Sequence, residues 1–159
     1  MRTQANAERK SDREIVSSRL IPGPSHLVFE AWAESELFQK WWVPKSAPIQ
    51  LESCEMEVRT GGTYRLVFSA GDQTAEFFGK YLEVTPHSRL VWTNEEGGED
   101  SATITTVTFE DVIGGTWVVV SDLYPSKEAL DDAMATGSVC AMPEQLEQLE
   151  QLFSGPSSL

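Results

Sequence analysis

Positive charge is scarce in this chain: 12 Lys and Arg stand against 25 Asp and Glu, for a formal net charge of −13. Such a surface repels a phosphate backbone, and no Lys/Arg cluster interrupts it. Neither a nucleic acid nor an anionic membrane is therefore an expected partner. The ordinary role of the excess charge is solubility. Cysteine is nearly absent. Cys54 and Cys140 show no C-x-x-C spacing and no neighbouring histidines, which leaves a disulfide framework and a zinc site without support. Both read as small buried apolar residues. The two histidines, His26 and His87, fall at a helix start and after a proline in a turn, and surface positions are expected for both. No run approaches the roughly 18 apolar residues of a membrane span, and the polar stretch Met1–Glu14 lacks the apolar segment of a signal peptide. A cytoplasmic location is the expectation.

Catalytic signatures are missing as well. The sequence has no G-x-S-x-G, no Walker loop, no G-x-G-x-x-G and no H-x-x-x-H, so no cofactor and no metal is expected. The glycine pairs at 61–62, 97–98 and 114–115 are accounted for as turns.

What is present is enough apolar material for one core: 40% hydrophobic residues, with seven Phe, five Trp and three Tyr in 159 positions. One domain is expected over 14–153, with flexible tails at 1–13 and 154–159. Glu14–Ile21 reads as a strand, ended by Pro22-Gly23-Pro24, which also opens a short helix carrying Val28, Phe29 and Trp32 on one face. A second short helix follows, with Phe38, Trp41 and Trp42 at i, i+3, i+4 and Pro44 as its stop. From residue 48 to 124 the pattern changes to period two. Its segments are 49–59, 63–70, 73–85, 89–94, 103–112 and 116–123, with the acidic stretch 95–100 as a hairpin loop. Adjacent short strands with tight turns give an antiparallel meander. A helix over 127–134 and an apolar stripe of Met142, Leu146, Leu149 and Phe153 complete the chain, the Glu and Gln between them forming a solvated face. Pro143 predicts a kink or a fresh helix start. The result is an α+β domain: a curved antiparallel sheet of six to seven strands wrapped around a long C-terminal helix.

Alternation assigns the inward side chains. With Lys80 and Arg65 facing water, Phe77, Tyr81, Tyr64, Leu66 and Phe68 point in, as do Val107, Phe109, Val118 and Val120 on later strands. Met56, Trp41, Trp92, Met134 and Met142 extend the set. Together they suit the wall of a concave apolar cavity; the alternative is that they fill a solid core. Trp41 and Trp42 cannot share one helix face, so one belongs to the core and the other to the cavity mouth. Asp122 has the parity of Val118 and Val120, so its carboxylate also points in. It would anchor a ligand amine or serve as a base with a raised pKa. Trp117 and Val119 fall on the outer face, as a small patch for self-association into a homodimer.

Several segments together resemble a known family. They are Val28-Phe29-Glu30-Ala31-Trp32, Glu36-Leu37-Phe38-Gln39-Lys40-Trp41-Trp42, Gly61-Gly62-Thr63-Tyr64-Arg65, Gly79-Lys80-Tyr81-Leu82-Glu83-Val84, Arg89-Leu90-Val91-Trp92-Thr93 and Leu146-Glu147-Gln148-Leu149. In this order they are similar to the single-domain homologues of the activator of heat-shock-protein-90 ATPase. The resemblance implies the START-like, or SRPBCC, superfamily and its helix-grip fold, shared with the birch pollen allergen. It also implies a small hydrophobic or aromatic ligand held between sheet and C-terminal helix. A cyclase or dehydratase using Asp122, Tyr64 or Tyr81 is the alternative. A co-chaperone role is the third reading, but a chaperone partner is not expected, because 159 residues leave no room for the chaperone-binding domain of the eukaryotic relative.

Overall fold

Along the strand Glu14–Ile21, half-buried and buried residues alternate without a break, the signature of a strand with one face on a core. The computed structural model describes residues 6–46, 48–95, 102–136 and 141–154. The elements are β1 (Asn6–Arg9), β2 (Glu14–Ile21), α1 (Ser25–Ala33), α2 (Ser35–Trp41), β3 (Gln50–Met56), β4 (Thr63–Ala70), β5 (Gln73–Thr85), β6 (Arg89–Asn94), β7 (Thr103–Val112), β8 (Gly115–Leu123), α3 (Lys127–Thr136) and α4 (Ala141–Ser154). The strands form one antiparallel sheet in the order β1-β2-β8-β7-β6-β5-β4-β3. The α1–α2 pair carries the chain from β2, near one edge, to β3 at the other. From there the meander walks back until β8 meets β2.

The sheet has one strand more than the sequence suggested. Asn6–Arg9, expected within a flexible tail, pairs with Ile15–Ser18 of β2. It carries no apolar alternation, so a period-two search passes over it. Backbone hydrogen bonds hold it, together with an Arg9–Asp131 ion pair at 2.8 Å to α3. The segment expected to run to residue 59 stops as a strand at Met56, because the chain turns there. The Gly62 amide bonds the Arg59 carbonyl, and Gly61 and Gly62 exchange bonds with Tyr81 on β5. The hairpin expected at 95–100 and the segment Gly137–Cys140 lie outside the described residues, Glu95 excepted.

Two bulges bend the sheet, one between Leu51 and Ser53 on β3 and one between Tyr81 and Glu83 on β5. Beside the second, β5 and β6 approach so closely that a Cβ on Gly79 would stand 1.9 Å from the Thr93 carbonyl oxygen. This corner gives the sheet its concave face. α1 and α2 fill one end of it with Val28, Phe29, Trp32, Phe38 and Trp41, which join Leu90, Val107, Phe109, Val118 and Val120 in the main core.

α4 covers β2 and touches α2. Pro143 sits in its first turn, where a missing N–H costs nothing, so the proline marks a fresh helix start. Leu146 and Leu149 are fully buried beneath it. The glutamines differ from the expected solvated face. Gln145 and Gln148 are buried, and both grip the chain leaving α2. Gln145 Nε2 donates to the Trp42 carbonyl at 2.6 Å. Gln148 Nε2 donates to the carbonyls of Trp41 and Val43 at 2.7 and 2.9 Å, and its Oε1 accepts the Lys45 amide at 2.8 Å. A helix C-terminus leaves its last carbonyls unpaired, and these two side chains supply the donors. On the other side of α4, Arg19 of β2 is paired with Glu150 at 2.5 Å.

A cavity on the concave face of the sheet

Between the sheet, α2 and the start of α4 lies a cavity of about 770 Å³, within the size range that holds a small organic molecule. Its wall changes character across the sheet. On the β4–β5 side it is apolar, with Leu66, Phe68 and Phe77 facing Phe38 and Trp42 from α2 and its C-terminus. On the β6–β8 side polar groups appear: Asn94, Thr103, Thr105, Asp122 and, just past β8, Tyr124.

Strand register explains where cavity gives way to core. Asp122 on β8 pairs with Thr105 on β7, which pairs with Trp92 on β6, which pairs with Tyr81 on β5. This row lines the cavity. The next inward row, Val120–Val107–Leu90, is sealed beneath the helices. Of the expected wall residues, Met56, Tyr64, Leu66, Phe68, Phe77, Tyr81, Trp92 and Met142 line the cavity. Val107, Phe109, Val118 and Val120 do not. They are buried core residues one or two rows further along their strands, and alternation reports the face of a strand, not the level along it.

Trp41 is a second correction. It is fully buried with its indole N–H bonded to the Ala31 carbonyl at 2.9 Å, because it shares a helix face with Phe38 toward α1. Trp42, in the next position, stacks on Phe38 at 4.6 Å and takes the place on the cavity wall. Met134 is the third. It is exposed on α3 and touches the Arg9 guanidinium rather than any cavity residue. Trp117 is exposed on the outer face and Val119 half-buried beside it; His26 and His87 are exposed. Trp32, Ile49, Thr103, Thr105, Tyr124 and Gln145 belong to the wall and were not expected there.

Of the three groups considered for acid–base work, Tyr64 and Asp122 have separate partners. The Tyr64 hydroxyl donates to the Thr93 carbonyl at 2.7 Å, and the Asp122 carboxylate accepts a 2.6 Å bond from Thr105 Oγ1. No hydrogen bond joins Asp122 to Tyr64 or Tyr81. Burial pushes the Tyr81 phenol up. It also pushes Tyr124 up to about 12, helped by the nearby Asp122 charge. A depression of similar size on the opposite face of β4 and β5, lined by Glu55, Arg65, Glu76 and Lys80, is a solvated furrow of surface ion pairs. Among the described residues no group of three His, Cys, Asp or Glu is placed to hold a metal. No described helix is long and apolar enough to cross a membrane.

The model of the family described as Activator of Hsp90 ATPase homolog 1-like protein matches residues 22–154. The chain belongs to this family. Comparison with curated proteins returns no match. Solved structures with the same fold include a protein from Rhodobacter sphaeroides, 19% identical over 96% of this chain and 99% of the other, with a TM-score of 0.85. A Nitrosomonas europaea protein is 22% identical over 94% and 99%, with a TM-score of 0.83. One from Chromobacterium violaceum is 25% identical over 88% and 96%, with a TM-score of 0.74. The helix-grip architecture expected from the resemblance is therefore the architecture observed.

Within this Activator of Hsp90 ATPase homolog 1-like domain, Asp122 is, among the described residues, the one acidic side chain on the cavity wall, and no described Lys, Arg or His lines it. Burial raises its pKa above the ordinary carboxylate value, and the Thr105 bond offsets this only in part. A carboxyl whose pKa is higher folded than unfolded binds protons more tightly in the native state. Stability then falls as pH rises from the unfolded pKa through the folded one, and stays low above it. Asp122→Asn removes that penalty. The variant should melt above the wild type at neutral pH, with the gap closing as both are acidified, in paired thermal melts across pH. A variant less stable at neutral pH would show that the carboxylate is compensated.

Proposed function

We propose that the domain binds a small hydrophobic or aromatic molecule in this cavity. Folds of this type commonly hold hydrophobic ligands. The observation that carries the reading is that the cavity persists although nine aromatic rings surround it, from Trp32 on α1 to Tyr124 past β8. Interiors ordinarily close over such space, since unfilled apolar volume costs stability. A wall of this kind recovers that cost when an apolar molecule fills it.

Nile red, neutral and fluorescent in apolar surroundings, tests the reading alongside a panel of lipids and flavonoids. At a ligand concentration about 100 times Kd, binding adds about 2.7 kcal/mol. For a chain of this length that raises Tm by roughly 5–10 °C. Trp32, Trp42 and Trp92 line the cavity, so tryptophan quenching should saturate at the same concentration. Neither a shift nor quenching from any member of the panel would end the proposal.

A further inference from the structure

We infer that the preferred ligand is an amphipathic organic cation, its ammonium group bound at Asp122 and its apolar body lying along the cavity toward β4. The inference rests on the cavity reading above and adds the head group. It stands on the polarity gradient across the sheet and on the state of the carboxylate at its polar end.

Asp122 accepts one hydrogen bond, from Thr105 Oγ1 to Oδ1. Its Oδ2 takes none from the described residues, and the residue lines the cavity. β2 contributes Ile15 as its sheet neighbour, and β7 contributes Thr105. Gln145 of α4 lines the same cavity, with its amide nitrogen bonded to the Trp42 carbonyl. Tyr124 is the titratable group that couples to it. The neighbouring Glu14 carboxylate accepts a bond from the Ser121 hydroxyl, whose side chain has the opposite parity on β8. Among the described residues no cation on the wall compensates the carboxylate, so a buried acceptor waits for a charged donor.

Two further features select the sign. The net charge of −13 concentrates cations at the surface and repels carboxylate or phosphate head groups. Beyond Thr105 on the same row stands Trp92, and Tyr81 follows it. Aromatic faces attract cations and stack on rings, so the path from Asp122 into the apolar half is lined for such a molecule. A fatty acid would bring a second anion to a site that already holds one.

The test uses one tail with three heads: 4-phenylbutylamine, 4-phenylbutanol and 4-phenylbutyrate, titrated by calorimetry, with Nile red as the neutral reference. The amine should bind roughly tenfold or more tighter than the alcohol, the ratio expected of a charge-assisted over a neutral hydrogen bond, and the carboxylate weakest. Asp122→Asn should bring amine and alcohol to within about threefold of each other, the ratio being read within the one variant. On acidifying wild type from about pH 8, amine affinity should fall as Asp122 protonates, because the amine itself stays charged, and alcohol affinity should hold. Nile red bound but the alcohol or carboxylate preferred would overturn the cation while leaving the cavity. A preference that survives in the variant would overturn the role of Asp122. If the variant does not fold, a flat pH profile for the amine in wild type overturns it equally. Failure of all four probes removes both readings together.

Discussion

Gly79→Ala should lose more than about 3 kcal/mol of unfolding free energy, and in the worst case yield no soluble protein. The added methyl carbon would stand 1.9 Å from the Thr93 carbonyl oxygen and 2.8 Å from the Thr93 hydroxyl. Neither can simply step aside. That hydroxyl accepts from the Lys80 amide at 3.1 Å and donates to Glu95 at 2.6 Å, and the carbonyl accepts from Tyr64. The methyl therefore has to part β5 from β6 at the corner that makes the sheet concave. Gly71→Ala is the matched control. Gly71 has a φ of +64° but open space around it, so its cost is that of a left-handed alanine, about 1–2 kcal/mol. Urea unfolding of both variants checks the difference. Equal losses would mean that the β5–β6 crossing at Thr93 gives way at little cost, since Gly79 has no left-handed φ to lose.

The second large effect is expected at Gln148. Gln148→Ala removes three hydrogen bonds at once and leaves the carbonyls of Trp41 and Val43 and the amide of Lys45 without their partner. At about 1–3 kcal/mol for each polar group stranded away from water, and with some rehydration, a loss of about 3 kcal/mol follows. Gln151→Ala, exposed on the same helix, should stay within about 0.5 kcal/mol. The loss should also reach the cavity, because Trp42 is held by the same clamp through Gln145. Nile red should bind Gln148→Ala more weakly even where the variant is fully folded. Unchanged stability would show that water replaces the glutamine amide without penalty.

Legibility in the sequence followed the physics of each element. The meander from β3 to β8 and the inward aim of Asp122 were readable because alternation is a local consequence of the pleat. β1 was not, since a short polar edge strand carries no burial signal. The division of the inward residues was hidden for another reason. Val120 and Asp122 are two positions apart on the same face of β8, yet one is core and the other cavity wall. That boundary is set by where α1, α2 and α4 come to rest. Gln145 and Gln148 looked solvated because glutamine usually is, and the partners that bury them are more than 100 positions away.

The pairing of β2 with β8 has a bearing on how the chain reaches this state. Ile15 meets Asp122, and Ile21 meets Thr116, so the join spans about a hundred residues of intervening chain. Strands β3 to β7 form hairpins with their neighbours and need only short loop closures. β2 and β1 must wait, as must α4, which rests on β2. On a ribosome the first strands would emerge long before their partner exists. Refolding should accordingly run on the millisecond-to-second scale of sheets built on distant contacts. Closing the β2–β8 seam brings Asp122 to its place beside Ile15, so a binding-competent site should mature no earlier than that final step.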